Sequence, residues 1–118
     1  MPAGLLTSLS ATSGVRLSGA GFADLTTLRV GGQPAATLLC ATPDALASTV
    51  RALDAAGVPL LVVGGGSNLV VGEEAGHLVA VVPVPGDSPT VVGEDATSVI
   101  VRASAGTVWD DLVSWSVR

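Results

Sequence analysis

Residues 60–71, Leu-Leu-Val-Val-Gly-Gly-Gly-Ser-Asn-Leu-Val-Val, carry the clearest chemical signal in this chain. An apolar run breaks into Gly64, Gly65 and Gly66, passes through Ser67 and Asn68, and turns apolar again at Leu69. Consecutive glycines let the main chain approach a ligand closely and gather its N–H groups into one concavity, which binds anions. Ser67 and Asn68 add short side-chain donors beside it. The predicted chemistry is a seat for a phosphate or pyrophosphate. The competing reading is a bare turn between two strands, but three adjacent glycines make such a turn entropically costly.

Two familiar phosphate loops are excluded. A P-loop needs a lysine for the terminal phosphates, and this chain has none. The dinucleotide fingerprint G-x-G-x-x-G would need glycine where Leu69 stands, and a helix directly after it. Residues 69–76 are too short and too punctuated by glycine for that helix.

Other reactive side chains are sparse. The carboxylates Glu73-Glu74, Glu94-Asp95 and Asp110-Asp111 are adjacent in sequence, so each pair points in different directions and reads as solvated turn or helix-start residues. His77 is the single histidine, which rules out a multi-histidine metal centre and disfavours a Ser-His-Asp triad. No metal site and no catalytic residue is expected in this chain. Cys40, the single cysteine, lies in an apolar run and reads as a small buried hydrophobe.

Composition narrows the class. The 118 residues are 48% hydrophobic and 13% charged, too apolar for a disordered chain and enough for one domain or part of one. A net charge of −5 argues against a nucleic-acid partner. The apolar runs at 58–63 and 78–82 are far too short to span a bilayer. The one early cation, Arg16, follows the apolar stretch where a signal peptide would place it first, so a cytoplasmic location is expected.

The elements that must position the loop follow from patterning. Residues 1–21 are rich in Ser, Gly, Ala and Thr and predict a mobile or loosely packed arm. A strand is expected over 36–41. Thr42 then caps a helix with Pro43 at its first position, Asp44 near its positive end, Leu46, Val50 and Leu53 on one face, and Gly57 just past its end. The run at 60–63 predicts a strand buried on both faces. Strand, helix and strand form a βαβ unit with parallel strands. The glycine loop then sits at a carboxyl strand end, the edge where open α/β sheets bind ligands. A further strand at 78–82 is followed by Pro83, Pro85, Gly86 and Pro89, which place a boundary between a first subregion, 22–83, and a second, 84–118. The second holds two strands, at 90–92 and 98–103, and a helix capped by Thr107 in which Trp109, Leu112 and Val113 share a face, Trp109 as core packing. That helix meets no Gly or Pro terminator, so the pattern reads as interrupted.

The loop 63–69, together with Thr-Thr-Leu-Arg-Val-Gly-Gly at 26–32 and Ala-Ser-Ala-Gly-Thr-Val-Trp-Asp-Asp-Leu-Val at 103–113, resembles the N-terminal part of the UDP-N-acetylenolpyruvoylglucosamine reductase (UDP-N-acetylmuramate dehydrogenase) family. One departure is Thr26, where many members carry Asn. The resemblance implies an α/β (α+β) fold: a βαβ-containing FAD-binding domain of the p-cresol methylhydroxylase and vanillyl-alcohol oxidase type. It implies truncation before the second flavin-binding segment and the substrate domain. It implies FAD held by Gly64, Gly65, Gly66, Ser67, Asn68 and Leu69, with Arg29 either facing the cofactor or in a surface ion pair. It further implies NADPH as reductant and UDP-GlcNAc-enolpyruvate, a nucleotide sugar, as the substrate reduced to UDP-N-acetylmuramate for peptidoglycan. The family's catalytic Ser, Glu and Arg fall in later segments, so the missing C-terminal region is an expected partner and this chain alone is expected to be inactive. Two other readings stay open: the FAD domain of another oxidase or dehydrogenase of the same fold, and a non-catalytic nucleotide-binding or interaction module.

Overall fold

The computed structural model describes residues 1–117; Arg118, the end of the expected second subregion, lies outside them. The elements in order are α1 (Ala3–Ser10), β1 (Val15–Ser18), α2 (Phe22–Leu25), β2 (Ala36–Cys40), α3 (Pro43–Ala55), β3 (Leu60–Val62), β4 (Val79–Pro83), β5 (Thr90–Glu94), β6 (Val99–Arg102) and α4 (Trp109–Ser116). The fold is mixed α/β. A four-stranded sheet runs β1-β2-β4-β3, and β5 pairs with β6 in a separate two-stranded sheet.

Helix α3 forms for the reasons its sequence gives. The Thr42 hydroxyl accepts from the Ala45 amide at 3.0 Å, with Pro43 at the first helical position. At the other end Gly57 takes φ +68°, its amide donates to the Asp54 carbonyl, and Val58 donates to Leu53, both at 3.0 Å. This paired return closes the last turn. Leu53, Ala45 and Thr49 are buried, and Leu46 and Val50 pack beside them. Full burial of a side chain such as Leu53 contributes about 1.5–3 kcal/mol.

The βαβ unit is present but split. β2 and β3 are both parallel to β4, and β4 lies between them, with Leu38 opposite Val81 and Val62 opposite the same Val81. The consequence overturns one expectation. β3 is an edge strand whose Val62 is 48% exposed, and the strand buried on both faces is β4, with Val79, Ala80 and Val81 all inaccessible. A run of four apolar residues does not tell a central strand from an edge strand, because pairing order is a long-range property.

Two cores flank the sheet. Leu38, Cys40, Val79 and Val81 face α1 and α3, joined by Leu9, Val15 and Leu53. On the opposite face Ala80 joins Phe22, Val63 and Ala75, with Leu25, Leu61, Leu69 and Val71 packed around them. Successive residues of β4 thus serve opposite layers, as a two-residue period requires. The Cys40 thiol is buried and points to the Thr49 hydroxyl at 3.6 Å, in keeping with a packing role.

Residues 3–18 are more ordered than the loose arm their composition suggests. α1 sends Leu9 into the core, and β1 extends the sheet antiparallel to β2, with Val15 opposite Cys40. Leu9 is the one buried residue of α1, so no helical stripe stands out in the sequence.

The region after Pro83 contains the expected hairpin and helix but little packing. Every residue of β6 is exposed, α4 has no buried residue, and Trp109 is 72% exposed. Trp109 is therefore not core, contrary to the sequence reading. Nor does Thr107 cap α4: Val108 holds that position, and the Thr107 hydroxyl lies 2.9 Å from that of Ser104. The region attaches through Val84, whose amide donates to the Cys40 carbonyl at 3.0 Å, and through Gly106, packed on the backbone of Pro83 and Val84.

Candidate functional site

The glycine loop leaves β3 at its carboxyl end. Val63 is buried and its amide still donates to the Val81 carbonyl at 2.9 Å, so the strand's pairing persists up to the first glycine. Beyond the loop, Leu69 and Val71 return into the core around Phe22. The loop is therefore pinned at both ends, while Gly64, Gly65, Ser67 and Asn68 between them are exposed.

The three glycines do different things. Gly66 has φ +69°, and a Cβ there would collide with the Leu25 carbonyl oxygen. It is glycine because the backbone turns left-handed and abuts another backbone. Gly64 and Gly65 would meet nothing within 4 Å, and neither has a positive φ. Nothing in the protein's own packing demands glycine at those two positions. Side chains there would project into the space above the loop, which is the pattern expected where a ligand approaches the main chain. Among the described residues the amides of 64–68 donate to no protein acceptor. They remain available to an anion.

The second motif, 26–32, is brought directly against the loop. The Thr27 amide donates to the Gly66 carbonyl at 3.1 Å. Gly32 donates to the Gly72 carbonyl at 3.0 Å, and a Cβ on Gly32 would strike the Glu73 backbone. A Cβ on Gly31 would crowd the Phe22 side chain and, less closely, Val71. The Gly-Gly pair thus serves backbone packing between the two segments. At the start of α2, the Asp24 carboxylate accepts from the Gly21 amide at 2.9 Å. Phe22 is fully buried beneath both motifs.

Within this segment Thr26, Thr27, Leu28 and Arg29 form a turn, closed by the Arg29 amide on the Thr26 carbonyl at 3.2 Å. Arg29 is exposed and holds φ +57°, the one non-glycine residue with a positive φ among those described. Sequence reasoning noted Thr26 only as a departure from the family pattern and missed that it is buried, with its hydroxyl bridging to Val30. The one signal available was a Thr four residues before a Val, which is too common to read.

The third motif is separate. Ser104, Ala105 and Gly106 lie near Pro83, Val84 and Gly86, and with the start of α3 they line a cavity of about 400 Å³. None of residues 64–69 borders it. Its lining is mainly apolar, and among the described residues no buried side-chain polar atom lacks a partner. Glu73, Glu74, Glu94, Asp95, Asp110, Asp111 and His77 are all exposed, and no group of metal-binding residues occurs among those described. No helix is long and apolar enough to cross a membrane among the described residues.

The titration of Asp95 is shifted downward. Its Oδ1 accepts from the Thr97 and Ser98 amides at 2.9 and 2.8 Å, and from both hydroxyls, which holds its pKa below the usual 3.8. It organises the β5–β6 turn and is remote in sequence from the loop.

A family model described as an FAD binding domain matches residues 34–118. The chain is 45% identical over 118 residues to UDP-N-acetylenolpyruvoylglucosamine reductase 2 of Corynebacterium glutamicum, covering 99% of this chain and 31% of that protein. It is 46% identical over 109 residues to the reductase of the same name from Nocardia farcinica, covering 92% of this chain and 27% of that one. The Mycobacterium avium reductase is 39% identical over 120 residues, covering 92% and 31%. The chain thus spans less than a third of the length of these curated relatives.

Proposed function

The chain belongs to the family of FAD binding domains, and from that premise we propose that it is the FAD-binding portion of an NADPH-dependent reductase converting UDP-GlcNAc-enolpyruvate to UDP-N-acetylmuramate in peptidoglycan synthesis. The names of its relatives support that substrate class. Bound FAD supplies hydride transfer to the enolpyruvyl double bond. In this reading the domain is of the p-cresol methylhydroxylase type, acts in the cytoplasm, and is completed by the reductase segments that extend beyond the match in the relatives. The catalytic acid belongs to those segments.

This chain's own part is binding and orientation. The amides of residues 64–68 and the Ser67 and Asn68 side chains hold the FAD pyrophosphate at the carboxyl end of β3. Arg29, on the turn bonded to Gly66, adds the one formal positive charge carried by either loop motif. Leu69 anchors the loop from below. The observation that carries the proposal is the pair Gly64 and Gly65, glycines with no packing need for being glycine, next to unpaired amides.

The test is a flavin titration of the chain by fluorescence. FAD binds the unaltered chain weakly, and Gly65→Val, whose side chain fills the approach to the main chain, removes binding while leaving the thermal unfolding transition in place. Equal binding by both proteins refutes the loop as the seat, and no binding by the unaltered chain refutes the flavin reading for this chain.

A further inference from the structure

Arg29 is held in a conformation that costs a non-glycine residue energy, and one side chain holds it there. The left-handed region is unfavourable for residues with a Cβ, and Arg29 has φ +57°. Thr26 is 4% exposed, and its Oγ1 both donates to the Val30 carbonyl at 3.2 Å and accepts from the Val30 amide at 3.3 Å. The hydroxyl therefore spans the turn and fixes both polar groups of the residue following Arg29. The Arg29 amide, bonded to the Thr26 carbonyl, fixes the other side. The next residue, Thr27, ties the turn to Gly66. Side-chain clamp, strained arginine and glycine loop are joined by consecutive hydrogen bonds.

We propose that Thr26 is a positioning residue for the cofactor site: its buried hydroxyl holds the turn that presents Arg29 to a diphosphate seated on residues 64–68. The inference rests on the flavin reading above and goes beyond it in assigning a residue that would not touch the ligand. A chain with five arginines, no lysine and a net charge of −5 has few cations to spend on an anion. Arg29 is the arginine whose own turn is bonded to the loop. Strain at that position is expected where a conformation is fixed for binding.

The test is a double-variant cycle in the full chain, read as the FAD dissociation constant by flavin fluorescence. Thr26→Val removes the hydroxyl and keeps the shape; Thr26→Ser keeps the hydroxyl. Arg29→Gly removes the charge and relieves the strain. Thr26→Val and Arg29→Gly each weaken FAD binding about tenfold, roughly the 1.4 kcal/mol of one charged contact. Thr26→Ser binds within about twofold of the unaltered chain, and the double variant Thr26→Val/Arg29→Gly is no weaker than Arg29→Gly alone, because Thr26 acts through Arg29. Hydrogen exchange at the Val30 amide accelerates in Thr26→Val and not in Thr26→Ser. If the two losses add in full, or if Thr26→Val binds FAD like the unaltered chain, the positioning role is overturned while the flavin reading stands. If the unaltered chain binds no FAD, both fall together.

Discussion

The Thr27 amide meets the Gly66 carbonyl at 3.1 Å, and that bond marks where two glycine-bearing segments, far apart in sequence, become one structural unit. On one side of it Gly66 presses on the Leu25 carbonyl; on the other Gly32 presses on Glu73. The glycines in these segments therefore divide into those that let two backbones touch and those that face open space.

That division makes opposite predictions for neighbouring residues. Gly66→Ala forces a Cβ into the left-handed region and into a backbone oxygen, and should destabilise the chain by more than about 2 kcal/mol. Gly64→Ala has neither problem and should stay within about 0.5 kcal/mol of the unaltered chain. Urea unfolding of the two variants checks this. Equal losses would mean that the loop's conformation is not the one described.

Helix α3 offers a second measurement, because both of its ends are closed by identifiable bonds. Thr42→Ala removes the acceptor for the Ala45 amide and should cost about 1 kcal/mol. Gly57→Ala places a Cβ at φ +68° and should cost about 1–2 kcal/mol. The sites lie at opposite ends of the helix and share no partner, so the losses should add within about 0.5 kcal/mol in the double variant. Thermal unfolding of the three proteins reads all of these values.

What was legible in the sequence was local. Thr42, Pro43 and Gly57 announce α3 because capping depends on residues within one turn. The glycine loop announces itself because few other tasks call for three adjacent glycines. The strand order was not legible: Leu60–Val62 and Val79–Pro83 are both apolar runs, and nothing within either says that β4 takes the centre and β3 the edge. The contact between the 26–32 and 64–69 motifs was also hidden. Gly31 and Gly32 are glycine because of residues 71–73, forty positions away in the chain. Trp109 was misread because a helical apolar face implies a covering layer, and the described residues place none over α4.

Asp95 makes stability depend on acid in a predictable direction. Its native pKa lies below the ordinary 3.8, because the folded turn donates four hydrogen bonds to the ionised carboxylate. The stabilisation is complete above the unfolded value, and it is lost as pH falls through the lower native value. Following the Thr97 and Ser98 amide shifts by NMR during acid titration should give a midpoint below 3.8. Asp95→Asn should abolish that transition and leave the hairpin's behaviour independent of pH in this range. A midpoint at or above the ordinary value would show that the turn does not form as described.

The surface of β5, β6 and α4 carries the last prediction. Val91, Val99, Ile100, Trp109, Val113 and Val117 are all large, apolar and exposed, and both strands of the hairpin have an open edge. Such a surface favours self-association, since it joins apolar area to unpaired strand edges. Sedimentation should show association that grows with protein concentration. Ile100→Lys should reduce it while changing unfolding free energy by less than about 0.5 kcal/mol, because that side chain buries little in the monomer. The same geometry fixes the fluorescence. Trp109 is largely exposed and Trp115 only partly so. Acrylamide should therefore quench two populations in the dilute monomer, and Trp109→Phe should remove the more accessible one. If Trp109 instead proves the protected residue in the monomer, α4 packs against the chain in a way the described structure excludes.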